Sequence, residues 1–308
     1  MRPMELAQHY IDRFVINDET ARNYLVIARL FEEATDLHDI AEVTLAHVTT
    51  WRKSILSRLS VHSYNTYLRH LRILYQHAQD QQLVGDNPFS CIDFVRRMPK
   101  SKCVPIENVA LVIRQLEVEN ICDPGWFWAI VIRFLLSTGM RRRQLVALCW
   151  EHIDFERRTI LLIQESSKNC HEWTIPMTDG TYEDLKILHK RTQALRGFVP
   201  SNQQVFCLPL FNPRSRLQSM SKQHVSGFFC DLSKKSGIRI SAHRIRHTLG
   251  TRLGTSEHPD IVAIQELFGH KSITSTRRYV ASNVGHIRRV LDRDGFEQEL
   301  ASKKKSLS

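Results

Sequence analysis

The segment SAHRIRHTLGTRL, residues 241–253, places His243, Arg246 and His247 within two turns of a predicted helix. A pair spaced His-x-x-Arg is by itself a weak signal, because it occurs by chance in many proteins. Two further clusters flank this segment: TGMR at residues 138–141, and LFGH at residues 267–270 followed by Tyr279. The combination and its order along the chain are more informative than any one cluster.

These clusters resemble the motifs of the tyrosine recombinase family, which includes the phage integrases and the Xer-type enzymes. The likeness is carried by Thr-Gly-x-Arg at 138–141, His-x-x-Arg-His-Thr at 243–248 and Gly-His-x-Ser-Ile-x-x-Thr-x-x-Tyr at 269–279. A basic residue in an intervening hairpin completes the pattern, and the likeness extends over nearly the whole chain. The resemblance implies a catalytic set of Arg141, Lys168, His243, Arg246 and His270, with Tyr279 as the nucleophile.

The register of the motifs decides two of these assignments. Three arginines are consecutive at 141–143, and the Thr-Gly-x-Arg spacing selects Arg141. Lys168 is selected because it lies in the hairpin eight residues before Pro176, as the family usually has it. The sequence also departs from the family pattern: Gln144 stands where an acidic residue usually follows, and Ser-Lys-Asn at 167–169 replaces the usual Gly-Lys-Gly. We therefore expect an amide instead of a carboxylate to hold Arg141.

The implied residues suit attack on a phosphodiester, whose negative charge repels nucleophiles. Cations around the nonbridging oxygens offset the charge that accumulates in the transition state. Arg141 and Arg246 fit that role, because a guanidinium stays charged and can bond two phosphate oxygens at once. His270 is expected to hydrogen-bond the scissile phosphate.

The remaining residues handle protons. A tyrosine hydroxyl ordinarily has a pKa of about 10, so its ionisation at pH 7 costs about 4 kcal/mol without help from neighbours. His243 is the expected acceptor of the Tyr279 proton, and Lys168 the expected donor to the departing 5′-oxygen. The product is a 3′-phosphotyrosyl bond, which retains the bond energy, so we expect neither a metal nor a nucleotide cofactor.

The first domain is predicted to be a bundle of helices over residues 1–95, similar to a SAM-like core-binding domain. Asp18 is the predicted cap of a helix through Phe31. From Ser63 a second helical pattern begins, with apolar residues from Tyr64 to Ala78 facing inward. On its opposite side, Asn65, Arg69 and Arg72 are expected to face solvent.

The second domain is predicted to be mixed, so that the whole protein is mainly α with a small β-sheet. Residues 96–105 form a basic, proline-containing linker, residues 106–290 the catalytic domain, and residues 291–308 a C-terminal helix or tail that could dock on a neighbouring subunit. The sheet strands are predicted at Thr159–Gln164 and Glu172–Met177. Helices are predicted at Trp126–Ser137, Tyr182–Leu195, His224–Lys235, His243–Leu253 and Ile261–Phe268.

The charge distribution favours a polyanionic partner, and double-stranded DNA fits it. The net charge is +11, yet residues 1–95 hold nine basic and twelve acidic residues, so the excess lies in the rest of the chain. Even so, residues 43–79 contain no acidic residue. The predicted DNA contacts are Arg52, Lys53, Arg69, Arg72, Arg96, Arg97, Lys100 and Lys102.

The cysteines and the apolar stretches argue against a metal or redox protein, a membrane protein and a secreted protein. The seven cysteines are scattered without a Cys-x-x-Cys pair, which favours reduced thiols over a metal or redox site. No segment reaches the ~18 apolar residues of a membrane span, and residues 1–10 do not resemble a signal peptide. We therefore expect a cytoplasmic protein without a membrane partner. Because the first domain begins almost at Met1, no room is expected for the extra arm-binding domain of some phage integrases.

Three functions remain open at this point. The first is a recombinase that works as a homotetramer on two DNA sites through a Holliday junction, serving a chromosomal site or a mobile genetic element. The second is a type IB topoisomerase, which shares the nucleophile chemistry. The third is a DNA-binding protein with decayed catalytic residues, for which Gln144 is the only sign. The target sequence and any accessory DNA-bending protein stay unidentified, because base readout depends on which side chains enter which groove.

Overall fold

The computed structural model describes residues 1–96, 102–164, 171–212, 218–256, 259–270, 272–277 and 279. The chain divides into two compact units, residues 1–100 and 101–308, which are described separately. Among the described residues, no helix has the length and apolar character needed to cross a bilayer. The fold is mainly α with a small sheet, as predicted.

The first unit is a bundle of four helices, in which the second contacts the other three. The helices are α1 (Pro3–Arg13), α2 (Asp18–Thr35), α3 (Leu45–Arg58) and α4 (Val61–Asp80). Their core is aromatic: Phe31, Trp51, Tyr64, Tyr75 and Phe89 are almost completely buried. Edge-to-face packing of these rings, such as Phe31 on Trp51 with centroids 5.8 Å apart, adds directional contacts to the apolar burial.

Two predicted helix starts are wrong by one to three residues. The cap of α2 is Asn17, whose side chain accepts the Thr20 N–H at 2.9 Å, while Asp18 is the first helical residue. The cap of α4 is Ser60, which accepts the Ser63 N–H at 3.1 Å. Both caps satisfy a backbone N–H that has no partner inside the helix, and short polar side chains outside the helix do this best.

The outer face of α4 is covered by the chain that follows it. Arg72 donates to the carbonyl oxygens of Phe89, at 3.1 Å, and of Ile92, and its guanidinium lies 4.8 Å from the Phe94 ring. Asn65 exchanges two hydrogen bonds with the Val95 backbone. The expectation that Asn65 and Arg72 face solvent is therefore wrong; both hold residues 89–95 on the bundle.

The second unit surrounds one nearly all-apolar helix, α6. Its helices are α5 (Ile106–Glu117), α6 (Gly125–Thr138), α7 (Arg142–Ala147), α8 (Asp179–Arg196), α9 (Leu208–Phe211), α10 (Lys222–Ser236), α11 (Ala242–Gly254), α12 (Ile261–Phe268) and α13 (Ile273–Arg277). Ten of the fourteen α6 residues are buried, so this helix is covered on most sides. It contacts α5, α8 and α11.

The sheet is antiparallel, in the order β1 (Ile153–Asp154), β2 (Thr159–Gln164) and β3 (His171–Pro176). The short β1 was not predicted, because two residues are too few to create an alternating pattern. Leu162 stands opposite Trp173 in the β2–β3 register. Since alternate residues share a face, Trp173 lies on the same side as the buried Ile160, Leu162 and Ile175.

Two glycines bring the ends of α6 and α12 together. Gly139 (φ +63°) and Gly269 (φ +56°) end these helices in the left-handed conformation that glycine adopts most readily. At Gly139 a Cβ would stand 2.3 Å from the Phe268 ring, and at Gly269 it would stand 2.4 Å from the Trp173 ring. The absent side chains therefore let α6, α12 and β3 meet at one place.

Candidate active site

Arg246 lies at the centre of this meeting point. It is on α11 and is almost completely buried. Its Nη1 donates to the Gly139 carbonyl oxygen at 2.5 Å and its Nη2 to the Phe268 carbonyl oxygen at 3.1 Å. The guanidinium lies 4.2 Å from the Phe268 ring centroid. Arg246 thus joins the carboxyl ends of α6 and α12, whose last carbonyls carry partial negative charge.

Arg141 lies beside it. The residue is half-buried, immediately before α7, and its Nη1 donates to the same Phe268 oxygen at 3.4 Å. Burial lowers the pKa of Arg141, whereas the Tyr279 phenol acts in the opposite direction. Burial, followed by the charge of Arg141, lowers the pKa of Arg246 to about 10. Both groups are cations at neutral pH in a partly desolvated place, which favours an incoming anion.

The two hydrogen bonds of His270 determine which nitrogen of the neutral ring carries the hydrogen. Its Nε2 lies 2.9 Å from Arg246 Nη2, and its Nδ1 lies 2.9 Å from Thr276 Oγ1. Because a guanidinium only donates hydrogen bonds, Nε2 accepts and the hydrogen of the neutral ring resides on Nδ1. The ring also borders a cavity of about 570 Å³ that is lined by Trp173 and Gln265.

Tyr279 packs directly onto these residues. It is 5% exposed, and its ring lies 5.3 Å from His247, 5.5 Å from Phe268 and, nearly parallel, 6.2 Å from His270. Against the larger lowering effect of burial, the phenol raises the pKa of Arg246. The close approach to α11 depends on Gly250, where a Cβ would stand 2.8 Å from Tyr279 Cδ1.

His243 is near this group but is joined to it through another histidine. Its side chain is exposed on α11, and its Nε2 lies 3.1 Å from His247 Nε2. His247 in turn contacts the Tyr279 ring. The structure thus brings together Arg141, Arg246, His270 and Tyr279, with His243 one contact away.

Two residues at this site were not predicted from the sequence to be functional. His247 and Thr276 are both inside the quoted motifs, yet motif matching alone did not distinguish them from packing residues. The signal for His247 was its spacing of four residues from His243, which puts both on one helix face. Thr276 is completely buried, so its contact with His270 could be recognised only in the folded chain.

Gln144 does hold Arg141, but through the backbone. Its Oε1 accepts the Arg141 N–H at 3.0 Å, as part of the capping box that begins α7. Its Nε2 is buried and has no hydrogen-bond partner among the described residues. A carboxylate at this position would avoid placing an unsatisfied donor there, since it has only acceptor atoms.

The hairpin that carries Lys168 is described only at its strands. Residues 165–170 lie outside the described residues, so Lys168 does too. The hairpin is nevertheless attached to the site, because Trp173 Nε1 donates to the Leu267 carbonyl oxygen at 3.4 Å and the indole covers Gly269. β3 therefore runs beside the residue that precedes His270.

The predicted DNA contacts differ in their exposure. Lys53, Arg69, Arg96 and Lys102 are exposed, and Arg52 is half-buried, with its guanidinium 5.9 Å from the Tyr64 ring. Arg72 is committed to the carbonyl oxygens described above. Arg97 and Lys100 lie outside the described residues.

Comparison with curated proteins finds relatives along almost the whole chain. A Pseudomonas aeruginosa protein described as tyrosine recombinase XerC is 27% identical over 306 residues, covering 94% of this chain and 71% of its own length. A Pseudomonas syringae protein with the same description is 29% identical over 314 residues and covers 97% of this chain. This chain spans 66% of that second relative.

Solved structures show the same fold. A Tn1549 transposon integrase, in complex with a circular intermediate DNA, matches with a TM-score of 0.77 at 21% identity, covering 95% of this chain and 99% of the other. A lambda integrase dimer bound to a core site matches with a TM-score of 0.71 at 16% identity, covering 91% and 95%. The phage integrase family model matches residues 119–286, which include every residue of the site described above. The chain therefore belongs to the phage integrase family of tyrosine recombinases.

Proposed function

We propose that this protein is a site-specific recombinase that cuts and rejoins DNA through a covalent bond to Tyr279. The observation that carries the proposal is one cluster of four side chains. Arg141 and Arg246 share the carbonyl oxygen of Phe268, Arg246 contacts His270, and the His270 ring faces Tyr279. Two desolvated cations, a histidine and a phenol in contact form a site for attack on a phosphodiester.

When DNA binds, the scissile phosphate replaces the backbone carbonyl oxygens as the acceptor for some of the N–H groups of Arg141 and Arg246. Arg141 and Arg246 bind its nonbridging oxygens, and the desolvation that lowers their pKa values is offset by the phosphate charge. As Arg246 turns to the phosphate, His270 Nε2 takes a proton from solvent, and the resulting Nε2–H donates a hydrogen bond to the phosphate. Its Nδ1–H bond to Thr276 keeps the ring oriented throughout.

Cleavage proceeds by exchange of one ester for another. The Tyr279 O–H bond breaks and its proton passes to His243, while the phenolate oxygen bonds to phosphorus. The bond from phosphorus to the 5′-oxygen breaks, and Lys168 supplies the proton that this oxygen takes. The product is a 3′-phosphotyrosyl ester and a free 5′-hydroxyl. A second strand's hydroxyl reverses the step, so the reaction needs no hydrolysable cofactor.

The same chemistry in four subunits exchanges strands between two duplexes. A lambda integrase is known as a tetramer bound to a Holliday junction, and we assign a homotetramer on two sites to this chain, acting in the cytoplasm. Residues 1–95 and the basic linker 96–105 supply sequence-independent DNA contacts through Arg52, Lys53, Arg69, Arg96, Arg97, Lys100 and Lys102. We also assign the docking on a neighbouring subunit to residues 291–308, which lie outside the described residues. Counterion release makes this binding strongly salt-dependent.

The test begins with recovery of the target. Nicked genomic DNA of the source strain is incubated with the protein, covalent complexes are captured, and the attached DNA is sequenced. A nicked duplex with the recovered sequence then traps the adduct, because the short cleaved strand diffuses away. We expect an adduct with the native protein and none with Tyr279→Phe, which keeps the ring packing but lacks the hydroxyl. An adduct that persists in Tyr279→Phe contradicts the nucleophile assignment.

A plasmid assay separates the recombinase from a topoisomerase. A supercoiled plasmid that carries two copies of the recovered sequence is expected to yield deletion or inversion products. Relaxation of a plasmid without the sequence, at a similar rate, contradicts site-specific recombination.

A further inference from the structure

The histidines of α11 form a hydrogen-bonded pair. His243 and His247 are four residues apart, so both project from the same side of the helix. Their Nε2 atoms are 3.1 Å apart, and their rings are nearly perpendicular, with centroids 4.5 Å apart. This distance is that of an N–H···N hydrogen bond.

Such a pair contains one hydrogen between the two nitrogens. Two neutral imidazoles can bond through their Nε2 atoms only if one carries the hydrogen and the other presents its lone pair. If both Nε2 atoms carried a hydrogen, the bond would be lost. While the bond persists, a further proton is therefore taken up on Nδ1 of the ring that donates.

His247 also contacts the proposed nucleophile. Its ring meets the Tyr279 ring edge-on at 5.3 Å. Among the described residues, the Cys103 thiol lies nearby, with its Sγ 3.8 Å from the His247 carbonyl oxygen. The guanidiniums of Arg246 and Arg141 and the His270 ring lie around Tyr279. His247 therefore lies between the nucleophile Tyr279 and the proton acceptor His243, and it can influence His243 through their hydrogen bond.

We propose that His247 is a positioning residue that sets the protonation state of His243, an inference that rests on the function proposed above. His247 Nε2 accepts the hydrogen on His243 Nε2, which puts the proton-accepting lone pair of His243 on Nδ1. When His243 takes the Tyr279 proton there, the resulting imidazolium donates to His247 through a stronger, charge-assisted bond. An acid–base residue oriented by a third group follows the same logic as catalytic triads.

The kinetic test compares two variants of His247 by their rates of cleavage. The substrate is the recovered DNA duplex with sulfur in place of the scissile 5′-oxygen. This sulfur leaves without a proton, so the pH dependence of adduct formation reports on the nucleophile. His247→Phe keeps a ring against Tyr279 but has no acceptor, and we expect cleavage about 10- to 100-fold slower. The acid limb of its pH profile moves to lower pH, because the His243 imidazolium loses its acceptor.

The matched control is His247→Gln, whose side-chain oxygen keeps an acceptor. We expect a rate within a few-fold of the native protein and an unmoved acid limb, with DNA binding alike in all three proteins. Equal losses in both variants, or a slower rate in His247→Phe with no movement of the acid limb, overturn the proposal.

A measurement without DNA separates this inference from the proposed function. Nitrogen NMR of the full protein with ¹⁵N-labelled histidine rings assigns the hydrogen on His243. We expect Nε2–H in the native protein and a mixture of tautomers in His247→Phe. An Nδ1–H ring in the native protein, or no change in the variant, overturns the inference even if adduct formation is normal. Absence of any adduct with the native protein, together with the expected spectra, instead defeats the recombinase proposal alone.

Discussion

Gly250→Ala tests the packing of Tyr279 on α11 by adding a single methyl group. The new Cβ would stand 2.8 Å from Tyr279 Cδ1 and 2.9 Å from the Phe268 ring. Ordinary carbon contacts are about 3.5–4.0 Å, so the phenol must move by about 1 Å or the helix must shift. A displacement of this size at a reacting group can slow a reaction by about 100-fold.

The stability change is expected to be small because two effects oppose each other. Replacement of a mid-helix glycine by alanine stabilises a helix by about 0.5–1 kcal/mol. Overpacking of a filled core costs about 1–3 kcal/mol. The free energy of unfolding should therefore fall by about 0–2.5 kcal/mol, which leaves a folded protein.

Gly227→Ala is the matched control. Gly227 is also inside a helix, α10, and a Cβ there would meet nothing within 4 Å. We expect it to raise the unfolding free energy by about 0.5–1 kcal/mol and to leave adduct formation unchanged. The assay measures the rate of covalent adduct on a nicked duplex, with denaturant unfolding in parallel. If Gly250→Ala forms the adduct at the native rate, Tyr279 does not react from its position packed against Gly250 of α11.

Three further predictions concern other contacts. Arg246→Lys removes the guanidinium that donates to the carbonyl oxygens of Gly139 and Phe268. We expect adduct formation to fall by about 10²–10³-fold and the free energy of unfolding to fall by about 1–3 kcal/mol. An unchanged rate would exclude Arg246 from the chemistry. Thr276→Val deletes the acceptor for His270 Nδ1–H and should slow cleavage about tenfold, with recovery in Thr276→Ser; failure of the serine to recover would point to packing instead. The third prediction concerns His77 in the first unit. Burial and the neighbouring His9 and Arg13 lower the pKa of His77, and its Nε2 lies 3.1 Å from His9 Nδ1. Because the unfolded chain then binds the proton more readily, stability should fall as pH drops below about 6.5, and a melting temperature independent of pH between 5 and 7.5 would contradict this.

Helix limits show how local sequence signals succeed and where they fail. The helix predicted at Ile261–Phe268 has these same bounds in the structure, because its apolar residues are flanked by Asp260 as cap and Gly269 as terminator. The start of α2 was misplaced by one residue, because Asn17 and Asp18 are both good caps and the choice between them depends on the path of the preceding chain. The outward face of α4 was misjudged for a different reason: residues 89–95 fold back on it, and no periodicity within the helix reports that contact.

The sequence by itself determined the family and the mainly helical class with a small sheet. Short motifs in a set order report both, because each constrains neighbouring residues on a single element. Only the tertiary structure decided that α6 and α12 end against each other at Gly139 and Gly269, and that Arg246 and Arg141 share the Phe268 carbonyl oxygen. It also decided that Thr276 meets His270 and that His247 meets His243. The hydrogen bond between Arg141 and Phe268 alone joins residues 127 positions apart. Contacts between residues so far apart in the sequence depend on the packing of whole helices. A motif records which side chains are present, whereas hydrogen-bond direction and protonation state depend on what each of them meets in the folded chain.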